Sequence, residues 1–131
     1  MALDVGNVRI GVAISDPTQT ISTPLQSLPR NNAILEINKI CSARNVVLIL
    51  VGMPYLISGE LGTQGNLTKQ FIQEMKTAIK IPIETVDERM STIEAKSRLQ
   101  EAGHKNISKR RRQGTIDSAS AAVLIDNYIR P

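Results

Sequence analysis

The sequence predicts an α/β fold: a mixed five-stranded sheet, made of a three-strand antiparallel meander and two parallel strands, flanked by helices. Near the start, branched aliphatic residues alternate with small ones, which is the pattern of a strand with one face on a core. Further along, short apolar runs alternate with helical spacings, which is typical of β-α units. With 131 residues and 41% hydrophobic content, we expect one domain spanning residues 1–131.

The antiparallel meander comes first. Ala2 to Val5 is the first predicted strand, and Gly6-Asn7 after it is a turn pair typical of hairpins. Ile10 to Ser15 is the second, because Ile and Val occupy every other position. Ile21 to Leu28 is expected as the third, at an edge or with a bulge, since it contains Pro24.

A helix and a buried strand follow. Asn31 or Asn32 can cap a helix whose apolar residues, Ile34, Ile37, Ile40 and Cys41, recur at helical spacing. The continuous apolar run Val46 to Val51 predicts a strand buried on both faces, usually a parallel one. We expect Gly52-Met53-Pro54 to end that strand.

The second half repeats the β-α pattern. After a glycine-containing loop, Asn66 to Ile79 is expected to be helical and Ile81 to Val86 to form the last strand. Ser91 and Glu94 have the spacing of a capping box, which predicts a helix ending near Ala102. A final helix is expected to be capped by Thr115, with three residues directed inward: Ala121, Leu124 and Tyr128.

Composition excludes several classes of protein. Aromatic residues make up only 2% of the chain, which argues against a base-stacking platform of the kind that single-strand binders use. Cys41 is the one cysteine, so an intrachain disulfide is impossible and a reducing, cytoplasmic location is expected. The sequence shows no secretory leader, and its longest apolar run is too short to span a bilayer, so we expect no membrane association.

Three acidic residues lie within or at the ends of predicted strands and helices, where an isolated carboxylate needs an explanation. Asp4 lies within the first strand, Glu88 closes the last strand, and Asp117 opens the final helix. Buried carboxylates are normally paired or bound to metal, so three that converge could hold a divalent cation. No His or Cys accompanies them, which favours Mg²⁺ or Mn²⁺ over Zn²⁺. Asp87 is the fallback for Glu88, because adjacent residues of a strand face opposite sides.

Each acid also has an ordinary explanation. Asp4 can belong to a solvated edge strand. Glu88 can form a surface ion pair with Arg89, worth about 0–1 kcal/mol. Asp117 can complement the helix dipole, an interaction worth roughly 0.3–1 kcal/mol.

Positive charge is concentrated in residues 104–112. This segment contains five of the 16 Lys and Arg residues and no acid; the five are Lys105, Lys109, Arg110, Arg111 and Arg112. Such a local patch is typical of a contact with a polyanion, and we expect a basic loop that binds nucleic acid. The alternative is a solvated loop with no partner.

Three segments resemble the YqgF (RuvX-like) family, and a fourth, Val51 to Pro54, is similar to its glycine-proline loop. The three are Leu3 to Ala13, Asp87 to Ala95 and Asp117 to Ala122. That family has the RNase H-like fold and is described as Holliday junction resolvases or pre-16S rRNA nucleases. The resemblance implies that Asp4, Glu88 and Asp117 are metal-binding catalytic acids. Arg9 and Arg89, which lie inside these segments, would contact the substrate together with the five cations.

The resemblance predicts a metal-dependent nuclease that acts on structured nucleic acid and processes the 5′ end of precursor 16S rRNA. One alternative is a Holliday junction resolvase acting on DNA, for which symmetric cutting would require a homodimer. Another is a nucleic-acid-binding module without catalysis. A third is an ATP-using fold, because Asp4, Gly6 and Gly11 also resemble the first phosphate motif of the actin and sugar-kinase group, although the chain has no second copy.

One loop departs from the family. Tyr55-Leu56-Ile57 stands where many relatives carry polar or basic residues. An exposed apolar segment of this kind can be a patch for a partner.

Overall fold

The computed structural model describes residues 1–88 and 109–129, with the side chains of 109–117 excluded. In chain order, the elements are β1 (Ala2–Val5), β2 (Arg9–Ser15), β3 (Ser22–Pro24), β4 (Leu28–Pro29), a 3-10 helix (Arg30–Asn32), α1 (Ala33–Arg44), β5 (Ile49–Met53), α2 (Thr63–Ala78), β6 (Ile83–Asp87) and α3 (Lys109–Ile129). No helix in the described ranges is long and apolar enough to cross a membrane.

The strands form one sheet in the order β3-β2-β1-β5-β6, and β4 also pairs with β2. β1, β2 and β3 are antiparallel neighbours. β5 is parallel to both β1 and β6. This mixed sheet with flanking helices confirms the predicted fold class and is consistent with the RNase H-like fold.

The third strand is divided in two. β3 and β4 both pair with β2, but the chain between Pro24 and Leu28 leaves the sheet. At this break the N–H of Leu25 still donates to the Val12 oxygen, at 2.8 Å. The N–H of Val12 donates instead to the Ser118 hydroxyl of α3, at 3.3 Å. A buried backbone donor needs a partner, so the helix supplies what the interrupted strand does not.

β5 begins and ends later than predicted. Val47 lies outside the strand and is 73% exposed, whereas Gly52 and Met53 belong to it. The expectation that Gly52-Met53-Pro54 ends the strand is therefore wrong for its first two residues. Both are paired in register with β6, Gly52 with Val86 and Met53 with Asp87. Because that pairing satisfies the Gly52 backbone, the missing side chain does not break the strand.

The helix starts also differ from prediction. α1 begins after Asn32 as expected, but the Asn32 side chain makes no capping hydrogen bond. α3 begins at Lys109, so the prediction that Thr115 caps the last helix is wrong. Lys, Arg and Gln are strong helix formers, and the run before Thr115 extends the helix. The helix predicted between Ser91 and Ala102 lies outside the described residues.

The two faces of the sheet have different cores. One face, the aliphatic face, carries large residues that pack on α1 and α2: Leu3, Val5, Ile10, Val12, Ile49 and Val51, against Ile37, Phe71 and Met75. The other, the α3 face, carries Ala2, Ala13 and Leu50 against Ala121, Ala122, Leu124 and Ile125. Tyr128, expected to point inward, is 48% exposed, and that prediction is wrong.

Candidate functional site

The carboxylates of Asp4 and Glu88 meet on the α3 face, where β1, β5 and β6 end. Asp4 is the third residue of β1, and Glu88 directly follows β6. β1 and β5 pair Leu3 with Val51, so the same register places Asp4 beside Gly52. Since side chains alternate along a strand, Asp4, Gly52 and Glu88 share one face.

Gly52 provides the space in which the Glu88 carboxyl group lies. A Cβ atom on Gly52 would come 2.8 Å from Glu88 Cδ and 2.9 Å from Leu124 Cδ1, and closer still to Glu88 Oε2. Real Cβ atoms essentially never approach a neighbour so closely. Any side chain at position 52 would therefore displace the Glu88 carboxyl group and the Leu124 side chain. The sequence prediction did not assign this role to Gly52; a single glycine inside an apolar strand was the available signal.

The environment of Glu88 disfavours its charged form. Burial contributes most to raising its pKa well above the usual range, followed by the charge of Asp4, a hydrogen bond with Asp4, and the charge of Asp87. Oε2 of Glu88 is closed to solvent. Close carboxyl groups repel each other when both are charged, so without a compensating charge the protonated form of Glu88 is favoured.

Asp87 points away from this pair. It pairs with Met53 on the opposite side of the strand from Val86, and its side chain is exposed. Of the two adjacent acids, the structure brings Glu88 to Asp4, which is the arrangement that the sequence prediction preferred.

Helix α3 passes over this site. Leu124 contacts the Gly52 position, and Ser118 hydrogen-bonds to β2. Asp117 is helical and precedes the fully buried Ala121 by one turn. The Asp117 side chain lies outside the described residues. Among the described side chains, no group of three or more His, Cys, Asp or Glu residues could hold a metal ion.

Of the expected substrate-binding residues, only Arg9 has a described side chain. Arg9 begins β2 and shares the α3 face with Gly11, the residue paired with Asp4, so it is a diagonal neighbour of that acid. Lys109, Arg110, Arg111 and Arg112 form the first turn of α3 and not a loop, which corrects that part of the prediction. Arg89, Lys105 and the side chains of 109–112 lie outside the described residues.

A pair of close, half-buried carboxylates suits a hard cation. Mg²⁺ and Mn²⁺ prefer oxygen ligands, and the close approach of Asp4 and Glu88 supplies two oxygen-donor groups on one face. A divalent ion would also relieve the repulsion that raises the pKa of Glu88. The donor chemistry of this site therefore fits a magnesium or manganese ion.

Comparison with known proteins identifies the family of this chain. The family model described as "RuvX: Holliday junction resolvase" matches residues 1–131. The chain is 36% identical to a protein of Roseiflexus sp. (strain RS-1), over 98% of this chain and 92% of that protein. It is 39% identical to one of Desulforamulus reducens and 38% identical to one of Thermoanaerobacter pseudethanolicus, each over 98% of this chain and 94% of the relative. All three relatives carry the name "Putative pre-16S rRNA nuclease". The chain belongs to the RuvX family.

Proposed function

We propose that this protein is a divalent-metal-dependent nuclease that hydrolyses phosphodiester bonds in structured nucleic acid and processes the 5′ end of precursor 16S rRNA. The observation that carries the proposal is the meeting of Asp4 and Glu88 in the space left by Gly52. In such a half-buried pair, burial and the charge of Asp4 raise the pKa of Glu88 and disfavour its charged form, so the pair suits a cation.

In this proposal Asp4 and Glu88 hold Mg²⁺ or Mn²⁺, and Asp117 completes the set from α3. When bound, the ion would activate a water molecule and stabilise the leaving oxygen of the phosphodiester. Glu88 must give up its proton before it can act as a charged ligand, so metal binding releases a proton. Because Gly52 has no side chain, the space beside it stays open for the Glu88 carboxyl group.

Substrate contacts come from cations at the edge of this site. Arg9 lies on the same face as Asp4, where it can reach the phosphate next to the one cleaved. Arg89, Lys105, Lys109, Arg110, Arg111 and Arg112 are proposed to bind the backbone of the nucleic acid. Such contacts carry little sequence information and weaken steeply as salt rises.

Precursor rRNA is the preferred substrate because the three relatives described above are named for it. This activity would place the protein in the cytoplasm, where ribosomes are assembled. The family description favours a second candidate, cleavage of four-way DNA junctions. Symmetric junction cutting would need two sites and therefore a homodimer, whereas trimming of an rRNA end needs one site only.

The test is an assay of the purified protein on a 5′-extended 16S rRNA fragment and a four-way DNA junction, with Mg²⁺, with Mn²⁺ and with chelator. We expect cleavage of the rRNA fragment that requires the ion. Asp4→Asn and Glu88→Gln should each abolish cleavage while the Kd for the RNA changes little. Glu74→Gln removes an exposed carboxylate from α2 and serves as the matched control.

Each alternative has its own outcome. Undiminished cleavage by Asp4→Asn would reject the assignment of the site. Junction cleavage without rRNA cleavage would favour the resolvase. Salt-sensitive binding of either nucleic acid without product at any metal concentration would show a binding module.

A further inference from the structure

The loop between β5 and α2 presents one fully exposed aliphatic side chain. Ile57 is 99% exposed, the highest value among the large hydrophobic residues of the described chain. Tyr55 and Leu61 pack against the aliphatic core, whereas Leu56, which lies against Gly62, is 49% exposed. Ile57 is therefore the most exposed residue of an apolar tip that Leu56 shares.

The loop holds Ile57 in a defined position. The N–H of Gly59 donates to the Leu56 oxygen and the N–H of Leu56 to the Glu60 oxygen, both at 2.8 Å. Gly59 has φ of +89°, a conformation that glycine adopts without strain. Ile57 and Ser58 are thus the central residues of a tight turn, closed below by an isolated bridge between Tyr55 and Leu61. The backbone that carries Ile57 therefore loses little conformational freedom on binding.

Both ends of the loop are fixed to the strands that carry the carboxylates. The Met53 oxygen accepts hydrogen bonds from the N–H of Tyr55 at 3.0 Å and from the N–H of Glu88 at 3.3 Å. At the other end, Gln64 Nε2 donates to the oxygen of Val5, next to Asp4, at 2.8 Å. Ile57 is four residues from Met53, a span of at most about 14 Å. Ile57 therefore lies within this distance of the end of β5, whose Met53 oxygen also binds the N–H of Glu88.

We propose that Ile57 is an apolar wedge that enters the base stack of the nucleic-acid substrate close to the phosphodiester held at Asp4 and Glu88. The inference rests on the proposed nuclease function and adds a contact that reads bases instead of phosphates. Proteins that unstack nucleic acid commonly do so with a single Ile, Leu, Met, Phe or Pro side chain.

The composition of the loop favours a contact with bases over a contact with phosphates or with a protein partner. Residues 55–62 contain no cation and one acid, Glu60, so the loop is unsuited to phosphate. A stable protein partner would bury about 800 Å² on this side, and the apolar part of the loop, Leu56 and Ile57, is a small fraction of that area. A wedge needs only one rigid apolar side chain.

The test uses 2-aminopurine, whose fluorescence rises when its base is unstacked, placed at successive positions of the 5′-extended 16S rRNA fragment and of the four-way junction. Binding is measured without divalent ions, so that nothing is cleaved. With the unaltered protein we expect a rise confined to one or two adjacent positions. Ile57→Ala should abolish the rise and weaken binding about tenfold. Ile57→Leu should retain both.

Val47→Ala is the matched control. Val47 is a similarly exposed aliphatic residue that precedes β5, whereas Ile57 follows it, so the two lie at opposite ends of the same strand. Equal fluorescence with Ile57→Ala and Val47→Ala would overturn the wedge. So would a loss of self-association in Ile57→Ala, by sedimentation, without any change in fluorescence.

The two proposals fail separately. Metal-dependent cleavage without a fluorescence change that depends on Ile57 would reject the wedge and leave the nuclease standing. A rise that depends on Ile57 without cleavage under any metal condition would reject the nuclease and leave the wedge. Absence of binding to both nucleic acids would reject both.

Discussion

The two faces of the sheet differ in the size of the side chains that the central strands present. The aliphatic face fills its space with Leu3, Ile10 and Val51 against Phe71 and Met75. On the α3 face, glycine and alanine let a helix approach closely. The first arrangement maximises buried apolar area and hence stability. The second forgoes much of that area, and the room it leaves beside Gly52 is where the carboxylates meet.

This difference predicts that substitutions on one face affect mainly stability and substitutions on the other affect mainly activity. Substitutions on the aliphatic face should lower the free energy of unfolding and leave the chemistry of each folded molecule intact. Substitutions on the α3 face should impair chemistry more than their effect on stability would suggest. The first two of the following measurements test that division, and the other two test the protonation of Glu88 and the hydrogen bond of Ser118.

Leu3→Ala on the aliphatic face should have the largest effect. Leu3 is fully buried, so we expect a loss of about 2–5 kcal/mol in the free energy of unfolding, measured by urea denaturation. Cleavage per folded molecule should not change. If Leu3→Ala does not fold, Ile37→Val gives a milder version, with an expected cost of about 0.5–1.5 kcal/mol. Loss of cleavage in a folded Ile37→Val protein would contradict the division.

Gly52→Ala on the α3 face should cost about 1–3 kcal/mol of unfolding free energy, because the added methyl group has no space. Its effect on activity should be larger, about a hundredfold per folded molecule, since the Glu88 carboxyl group must move. Urea denaturation and the rRNA cleavage assay measure the two effects on one sample. Full activity with normal Mg²⁺ affinity would show that the position of Glu88 does not matter.

Stability in the absence of divalent ions should fall as pH rises. Because the pKa of Glu88 is raised in the folded protein, the folded state keeps a proton that the unfolded chain has released above the usual glutamate range. Glu88 therefore lowers the free energy of unfolding by up to about 1.4 kcal/mol per pH unit over that window. Denaturation from about pH 5 to about pH 8 measures this slope.

The matched variants of that experiment are Glu88→Gln and Asp87→Asn. Glu88→Gln should flatten the profile, whereas Asp87→Asn should preserve most of it, because Asp87 contributes least to the raised pKa. Addition of Mg²⁺ should restore stability at the higher pH. An unchanged slope in Glu88→Gln would show that another group is responsible.

Ser118→Ala should have the smallest effect, about 1 kcal/mol, because the N–H of Val12 then loses its partner. Ser120→Ala is its control on the same helix. The Ser120 hydroxyl is buried, and the described residues offer it no hydrogen-bond partner, so its removal should be neutral or stabilising. Thermal unfolding of the two variants gives the comparison. Equal destabilisation by both would show that packing, and not the hydrogen bond, matters.

Much of the fold was predictable because its signals are local. The alternation in β2 and the apolar run at β5 each depend on a few adjacent residues, and both strands were predicted. The errors concern boundaries where distant parts of the chain decide. Gly52 was expected to end a strand, yet its pairing with β6 keeps it inside one. Thr115 was expected to start a helix that begins six residues earlier, because the basic run before it also favours a helix.

By itself, the sequence determined the order of strands and helices, the aliphatic nature of the core and the presence of acids at the ends of strands, because periodicity and composition act over short stretches of chain. Only the tertiary structure decided that Glu88, and not Asp87, meets Asp4, that Gly52 leaves the space for it, and that Tyr128 faces outward. These outcomes depend on the register between strands and on how closely α3 approaches the sheet, and a shift of one residue would turn each side chain to the other face.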